Sequence, residues 1–284
     1  MLRVHAANEA VNTRTMLIGV SNLFIEMTYE QLNRLPVWEK MPTITLGEMS
    51  AIKLMNRVDT KFVMRASQLE ELLEMAATEY SVQIIDGIRA CGYTTLYYDT
   101  ADYDMYTRHH NQQLTRQKIR ARRYEESGQC FIEVKNKTNK GRTKKKRITI
   151  PNEVFDCVAN HAEAHAFLQE RSAYAPEAIA PALITAFDRI TLVNKAHTER
   201  LTIDTNLIFT NVRKQKQGEM EGLVIVELKQ DGMYFSPMKE ILQRLRVKPF
   251  KVSKYCLGTV LTEADVKQNR YKRKVRLIEK MLNS

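Results

Sequence analysis

The chain has 284 residues, 44% of them hydrophobic and 27% charged, with 44 Lys and Arg against 33 Asp and Glu for a formal net charge of +11. That length can bury a substantial core, and the balance of apolar to charged residues excludes a disordered or low-complexity polymer. No run approaches the ~18 apolar residues of a membrane helix, and the start lacks the apolar core and cleavage site of a secretory signal.

In chain order, residues 1–27 carry no consistent period, which predicts a poorly ordered extension ahead of one domain over 28–284. Short helices are expected over 28–41 and 43–53. Residues 55–63 alternate, with Arg57, Asp59 and Lys61 on one side and Val58 on the other, as in a strand. Ser67 and Glu70 read as a capping box, opening a helix that buries Leu69, Leu72, Leu73 and Ala76. A strand over 92–100 and a short helix over 102–109 follow.

Residues 108–147 hold 14 Lys and Arg against Glu125, Glu126 and Glu133, a local charge of +11, so the rest of the chain balances at 30 basic and 30 acidic. Lys118, Arg120 and Arg122 share one face of a strand, with Ile119 and Ala121 on the other. A turn at Gly128 leads to a return strand with Cys130, Ile132 and Val134 on one face and Glu133, Lys135 and Lys137 on the other. Such a hairpin is either a surface sheet with its charge in water or the wall of a cationic cavity that needs a polyanion. In the third strand, over 144–150, either Lys145 and Arg147 or Lys144 and Lys146 point to the charged side.

Two or three helices are expected over 152–180, with Phe155, Val158, Ala162, Ala166 and Phe167 inward, then strands over 182–194, 200–210 and 223–229. Ser236 and Pro237 start a helix, Ser253 opens another, and 263–282 reads as a long basic helix. Its Lys and Arg residues suit a solvated face or contact with an anionic membrane or partner. His161 and His165 read as a helical surface pair. Tyr93, Tyr97, Tyr98, Tyr103 and Tyr106 read as core and wall rather than a base-stacking platform, and no nucleic-acid partner is expected. The four cysteines, Cys91, Cys130, Cys157 and Cys256, are widely spaced and suit reduced thiols in a cytoplasmic protein. Seven or eight strands in antiparallel hairpins with helices between them give an α+β fold, one sheet closing toward a barrel. Single acids among many Arg and Lys on those strands suit a site for phosphates with one or two Mg²⁺ or Mn²⁺ ions.

The ordered pieces Arg57-Val58-Asp59-Thr60-Lys61, Tyr97-Tyr98-Asp99-Thr100, Ile119-Arg120-Ala121-Arg122-Arg123-Tyr124, Phe131-Ile132-Glu133-Val134-Lys135, Lys144-Lys145-Lys146-Arg147, Phe187-Asp188-Arg189, Arg200-Leu201-Thr202-Ile203-Asp204, Val226-Glu227-Leu228-Lys229 and Ser253-Lys254-Tyr255 carry a family resemblance. The chain resembles the VTC domain, the vacuolar transporter chaperone type of polyphosphate polymerase, within the triphosphate tunnel metalloenzymes. The resemblance runs from about residue 50 to 260.

It implies an antiparallel β-barrel around a charged triphosphate tunnel with helices packed around it. It also implies catalytic contacts from Lys61, Arg120, Arg122, Lys135, Arg189, Arg200 and Lys254 to the triphosphate or the growing chain. Ser253 with Lys251 and Lys254 resembles a phosphate cradle at a helix N-terminus. Further phosphate contacts are expected from Arg57, Lys118, Lys137, Lys146, Arg147 and Lys229. Glu227 is the expected metal ligand, with Glu133 and Asp204 as further candidates for Mn²⁺ or Mg²⁺. The wider superfamily opens with Glu-x-Glu-x-Lys, and here Arg57 and Asp59 stand at the acid positions.

The implied reaction transfers the γ-phosphate of ATP to polyphosphate in the cytoplasm, with a partner protein at the membrane for regulation and export. No Walker-type Gly-x-x-x-x-Gly-Lys-Ser/Thr loop is present. A triphosphate or nucleotide hydrolase on the same fold, and a non-catalytic module binding polyphosphate or another polyanion, remain open alternatives.

Overall fold

The computed structural model describes residues 26–52, 54, 57–139, 143–232 and 234–284. The expected extension over 1–27 lies almost wholly outside them, as do Met55 and Asn56 at the start of the first expected long strand.

Eleven strands form among the described residues. They are β1 (Thr43–Thr45), β2 (Arg57–Arg65), β3 (Tyr80–Ile84), β4 (Ala90–Asp99), β5 (Arg116–Tyr124), β6 (Cys130–Lys137), β7 (Thr143–Ile150), β8 (Ala180–Asn194), β9 (Glu199–Asn211), β10 (Lys216–Glu219) and β11 (Leu223–Asp231). Eight of them run side by side in the order β2-β11-β9-β8-β4-β5-β6-β7, and each neighbouring pair is antiparallel. The fold is thus the expected α+β class, with helices around one antiparallel sheet. Hydrogen bonding among the described residues does not close β7 onto β2; the outer edge of β2 is met instead by Phe250, whose N–H donates to the Lys61 carbonyl at 2.7 Å.

Strand alternation sorts the sheet into two faces. Phe62 and Met64 of β2, Val224, Val226 and Leu228 of β11, Leu201 and Ile203 of β9, and Ile190 and Leu192 of β8 face outward into one core. That core is covered by α3 (Leu69–Ala76) and α6 (Pro237–Arg244), through Leu69, Leu72, Leu73, Met238 and Leu242. On the other half of the sheet, Leu96, Ile119, Ala121, Ile132 and Val134 pack outward against α5 (Ala162–Arg171) and the turns before it. The opposite, inner face carries the charge.

A bulge between Ala186 and Asp188 of β8 faces Asn206 of β9, which sits at φ 53°. The extra residue shifts the alternation. Before it β9 turns Arg200, Thr202 and Asp204 inward, and beyond it Leu207 and Phe209 share a core with Leu183, Tyr255, Leu257 and Ile278. That apolar floor seats α7 (Lys254–Thr262) and α8 (Asn269–Leu282), so one end of the inner face is plugged by helices.

Several local expectations are corrected. Thr43–Thr45 pairs in parallel with β3 before Thr45 caps α2 (Leu46–Ala51), and the alternation of Tyr80, Val82 and Ile84 marks β3 itself. The Ser67 capping box does not form: residues 66–68 make a 3-10 turn, in which Gln68 Oε1 accepts from Arg65 N at 3.3 Å. In α5 it is Ala164 and Leu168 that are buried with Phe167, whereas Ala162 and Ala166 face out. The polar segment after β9 forms the short β10, and the last helix begins only at Asn269. Tyr93, Tyr97, Tyr103 and Tyr106 lie in the core beneath α7 and α8, and the Tyr98 hydroxyl donates to the Phe155 carbonyl at 2.7 Å.

Gly258 lets α7 approach the floor. A Cβ there would lie 2.4 Å from Phe209 Cδ1 and 2.8 Å from Leu183 Cδ2. Overpacking of this kind costs about 1–3 kcal/mol, so Gly258→Ala lowers the denaturant midpoint of unfolding, as measured by circular dichroism at constant slope.

Candidate functional site

The inner face is built from alternate residues of all eight strands. Register places Lys61 opposite Glu227, Glu227 opposite Thr202, Lys229 opposite Arg200, and Arg189 opposite Asp204. On the other wall Lys118 faces Lys135, Arg120 faces Glu133, Glu133 faces Arg147, and Lys135 faces Lys145. The N-terminus of α7 links these two walls: Ser253 Oγ accepts from Lys118 of β5, and Lys254 donates to Asp204 of β9. The charged face of the hairpin is therefore turned toward α7 and the opposite wall.

Three acids each gather two cations. Asp204, 3% exposed, accepts from Arg189 Nε at 2.5 Å and Arg189 Nη2 at 2.8 Å, and from Lys254 Nζ at the start of α7. Glu133, 1% exposed, accepts from Arg120 Nε at 2.7 Å and Lys145 Nζ at 2.9 Å. Glu227 lies 2.5 Å from Lys61 Nζ and 3.6 Å from Lys229 Nζ. Burial alone would raise the pKa of each acid, but the cations on it overcome that and hold all three below the ordinary carboxylate range.

The remaining cations have no acid in contact among the described residues. Lys118 Nζ donates to Ser253 Oγ at 2.9 Å, which ties β5 to the N-cap of α7. Arg122 Nε donates to Thr95 Oγ1 at 3.1 Å, and its guanidinium lies 5.7 Å from the centre of the Tyr93 ring. Burial, reinforced by Arg120, pushes the Lys118 ammonium down to about 8 and the Lys135 ammonium down to about 7. These groups are desolvated and repel one another, which is the electrostatic state of a site awaiting anions.

Most of the sequence-predicted residues converge here: Lys61, Lys118, Arg120, Arg122, Lys135, Arg189, Lys229, Ser253 and Lys254 share the inner face with the three acids. Arg147 joins them, its guanidinium 4.3 Å from the Phe131 ring centre, and Lys137 lies at the end of the same wall opposite Thr143. Lys146 does not join, because its register partner is Val134, on the apolar outer face; Lys145 takes the inward position instead. Arg200 shares the inner parity but spends its guanidinium on the carbonyls of Met49 at 2.7 Å and Ile52 at 3.5 Å, anchoring α2. Arg57 pairs with Asp59 at 2.6 Å on an exposed rim, and Lys251 is exposed, its carbonyl accepting from Lys274 Nζ at 2.7 Å. Sequence reasoning passed over Thr95, Thr185 and Thr202. Thr202 has the same parity as Arg200 and Asp204, which could have identified it, and the buried hydroxyls of Thr185 and Thr202 have no hydrogen-bond partner.

Among the described residues no three His, Cys, Asp or Glu side chains converge to hold a metal ion. A cage made of protein ligands alone therefore does not fit this site. A divalent ion shared with phosphate oxygens needs only one or two carboxylates. Glu227, at 21% exposure, fits that demand, whereas Glu133 and Asp204 are enclosed by their cations.

Removing Asp204 strands two buried cations, a loss on the order of 3–5 kcal/mol for a buried pair. Asp204→Asn lowers the unfolding free energy by that amount at pH 7. The depressed carboxylate stabilises the fold above the unfolded pKa near ~4 and loses that contribution as pH falls toward the folded value. Urea titrations of the two proteins from pH 7 to pH 3 therefore show a constant gap down to about pH 4 and a gap that begins to narrow below it.

Among the solved structures similar to this chain are the following three. A candidate adenylyl cyclase from Hippeastrum, described as revealing a dominant triphosphatase activity, is similar over 74% of this chain and 98% of its own at 12% identity, with a TM-score of 0.47. A protein from Pyrococcus horikoshii covers 78% of this chain and 99% of its own at 13% identity and a TM-score of 0.41. A candidate adenylate cyclase from Vibrio parahaemolyticus covers 79% and 99% at 14% identity and a TM-score of 0.39. No curated protein matches the sequence. The family model described as the VTC domain matches residues 56–262, which contain every strand of the cationic wall, and the chain belongs to that family.

Proposed function

We propose that the chain is a polyphosphate polymerase, transferring the γ-phosphate of ATP to the end of a polyphosphate chain held on the cationic inner face. The observation that carries this reading is the inner face itself: six cations are clamped by three acids, while the buried Arg122 and the half-buried Lys118 and Lys135 have no acid in contact among the described residues. A polyanion supplies the negative charge that such a wall lacks. Membership of the VTC family supports the same substrate class.

Phosphoryl transfer passes through a loose transition state with charge spread over the transferred oxygens, so positioning and electrostatics supply most of the rate. Arg120 and Arg189 are held in fixed orientation by Glu133 and Asp204, and Arg122 by Thr95. They present preorganised forks to equatorial phosphate oxygens. Lys254 and Ser253 at the α7 N-terminus, with Lys118 beside them, hold a neighbouring phosphate. A polymer end is already anionic at neutral pH, so its oxygen attacks the γ-phosphorus in line with no general base, and the bond to ADP breaks. Glu227 would hold a bound Mg²⁺ or Mn²⁺, which supplies Lewis-acid neutralisation of the phosphates. We place the protein in the cytoplasm, with export left to a membrane partner; among the described residues no helix is long and apolar enough to cross a membrane.

Purified protein incubated with ATP and Mn²⁺ yields a ladder of polyphosphate on a stained gel, with ADP released in step. Glu227→Gln lowers turnover on the order of 10²-fold and leaves tripolyphosphate binding within a few-fold of wild type. Free phosphate with no ladder would assign the fold to hydrolysis instead.

A further inference from the structure

One end of the inner face is electrostatically unlike the rest. Arg116 lies directly opposite Lys137, and the next inward pair along the same strands is Lys118 opposite Lys135. Like charges facing across a ladder destabilise it, and among the described residues none of these four has an acid in contact. The first inward acid on this wall, Glu133, stands one inward position further in and is already taken by Arg120 and Lys145.

His109 sits at this mouth, in the last turn of α4 (Asp104–His110). The helix is fixed from both ends. Asp99 accepts from Met105 N and Tyr106 N at 2.9 Å each, and His110 Nε2 accepts from Arg270 N of α8 at 3.3 Å. The helix packs against β5 and α8, which sets the His109 ring in the field of Lys118 and Arg116 of β5, Lys137 of β6 and Lys274 of α8. Its Nδ1 is buried with no hydrogen-bond partner. A buried ring nitrogen without a partner costs free energy, and an anion bridging it to the four cations removes that cost.

We infer that His109, Arg116, Lys137 and Lys274 form a further anion station at this mouth, occupied by phosphates of a polyphosphate chain that has run past Lys118. It rests on the polyphosphate reading above and deepens it by giving the chain an end through which it passes. The station lies two inward positions along β5 from Arg120, beyond the residues to which the reading above assigns a triphosphate, so it selects for length. Burial and the four cations keep the ring neutral in the empty protein. Phosphates placed among them offset the positive potential, and the ring takes up a proton as the chain arrives.

The test follows the ¹⁵N and ¹³C signals of labelled histidine rings at pH 7, with His109 assigned by His109→Gln, while tripolyphosphate or a long-chain polyphosphate is added. The long chain protonates the His109 ring and tripolyphosphate does not. His109→Gln weakens binding of the long chain several-fold and leaves tripolyphosphate affinity unchanged. A ring that stays neutral under saturating long chain, or a variant that weakens both ligands equally, overturns the station and leaves the tunnel reading intact. Failure of both ligands to bind overturns the two together.

Discussion

Repulsion among buried cations is the constraint on which the rest of this structure depends. Arginine and lysine forced onto one concave face, out of water, raise the energy of the fold unless something negative stands among them. The chain supplies three acids, on β6, β9 and β11, and each is shared between two cations: Glu133 by Arg120 and Lys145, Asp204 by Arg189 and Lys254, and the more accessible Glu227 by Lys61 and Lys229. Adding an acid for every cation would have given a more stable sheet and an inert one. The deficit left at Lys118, Arg122 and Lys135 is free energy held ready for a ligand.

The scaffold tolerates that deficit because its apolar cores lie elsewhere. Val224, Val226, Leu201 and Ile203 pack outward against α3 and α6, while Ile119, Ile132 and Val134 pack against α5. Strand alternation lets each strand contribute to an ordinary core and to the charged wall at once. The bulge opposite Asn206 then turns the far part of β9 apolar, which seats α7 and brings Ser253 and Lys254 to the edge of the wall. Tyr255 donates to Asp99, the same carboxylate that caps α4, so the helix bearing Lys254 and the helix bearing His109 are set by one buried acid.

Much of this was legible in the chain. The parity of Lys118, Arg120 and Arg122 against Ile119 and Ala121 fixes which way that strand faces, and the same parity on β2, β6 and β11 makes the face continuous. Four consecutive basic residues at Lys144 to Arg147 left two phases open, and only pairing with β6 selects Lys145 over Lys146. Arg200 has the right parity, but its guanidinium reaches the carbonyls of Met49 and Ile52, a tertiary contact that no local pattern encodes. Which acid is accessible enough to hold an ion was likewise hidden, because that depends on how many cations the fold brings to it. The position of His109 rests on the packing of α4 against α8, equally invisible in a strand pattern.

The most direct measurement of the central claim is the thermal unfolding midpoint in tripolyphosphate compared with sodium chloride at matched ionic strength. A ligand that binds only the folded state stabilises it by about 2.7 kcal/mol at a concentration a hundredfold above its Kd. If the wall is held short of negative charge for a polyanion, tripolyphosphate raises the midpoint by several degrees beyond the salt control, and the rise grows with ligand concentration. A midpoint that moves no further in tripolyphosphate than in sodium chloride would contradict it.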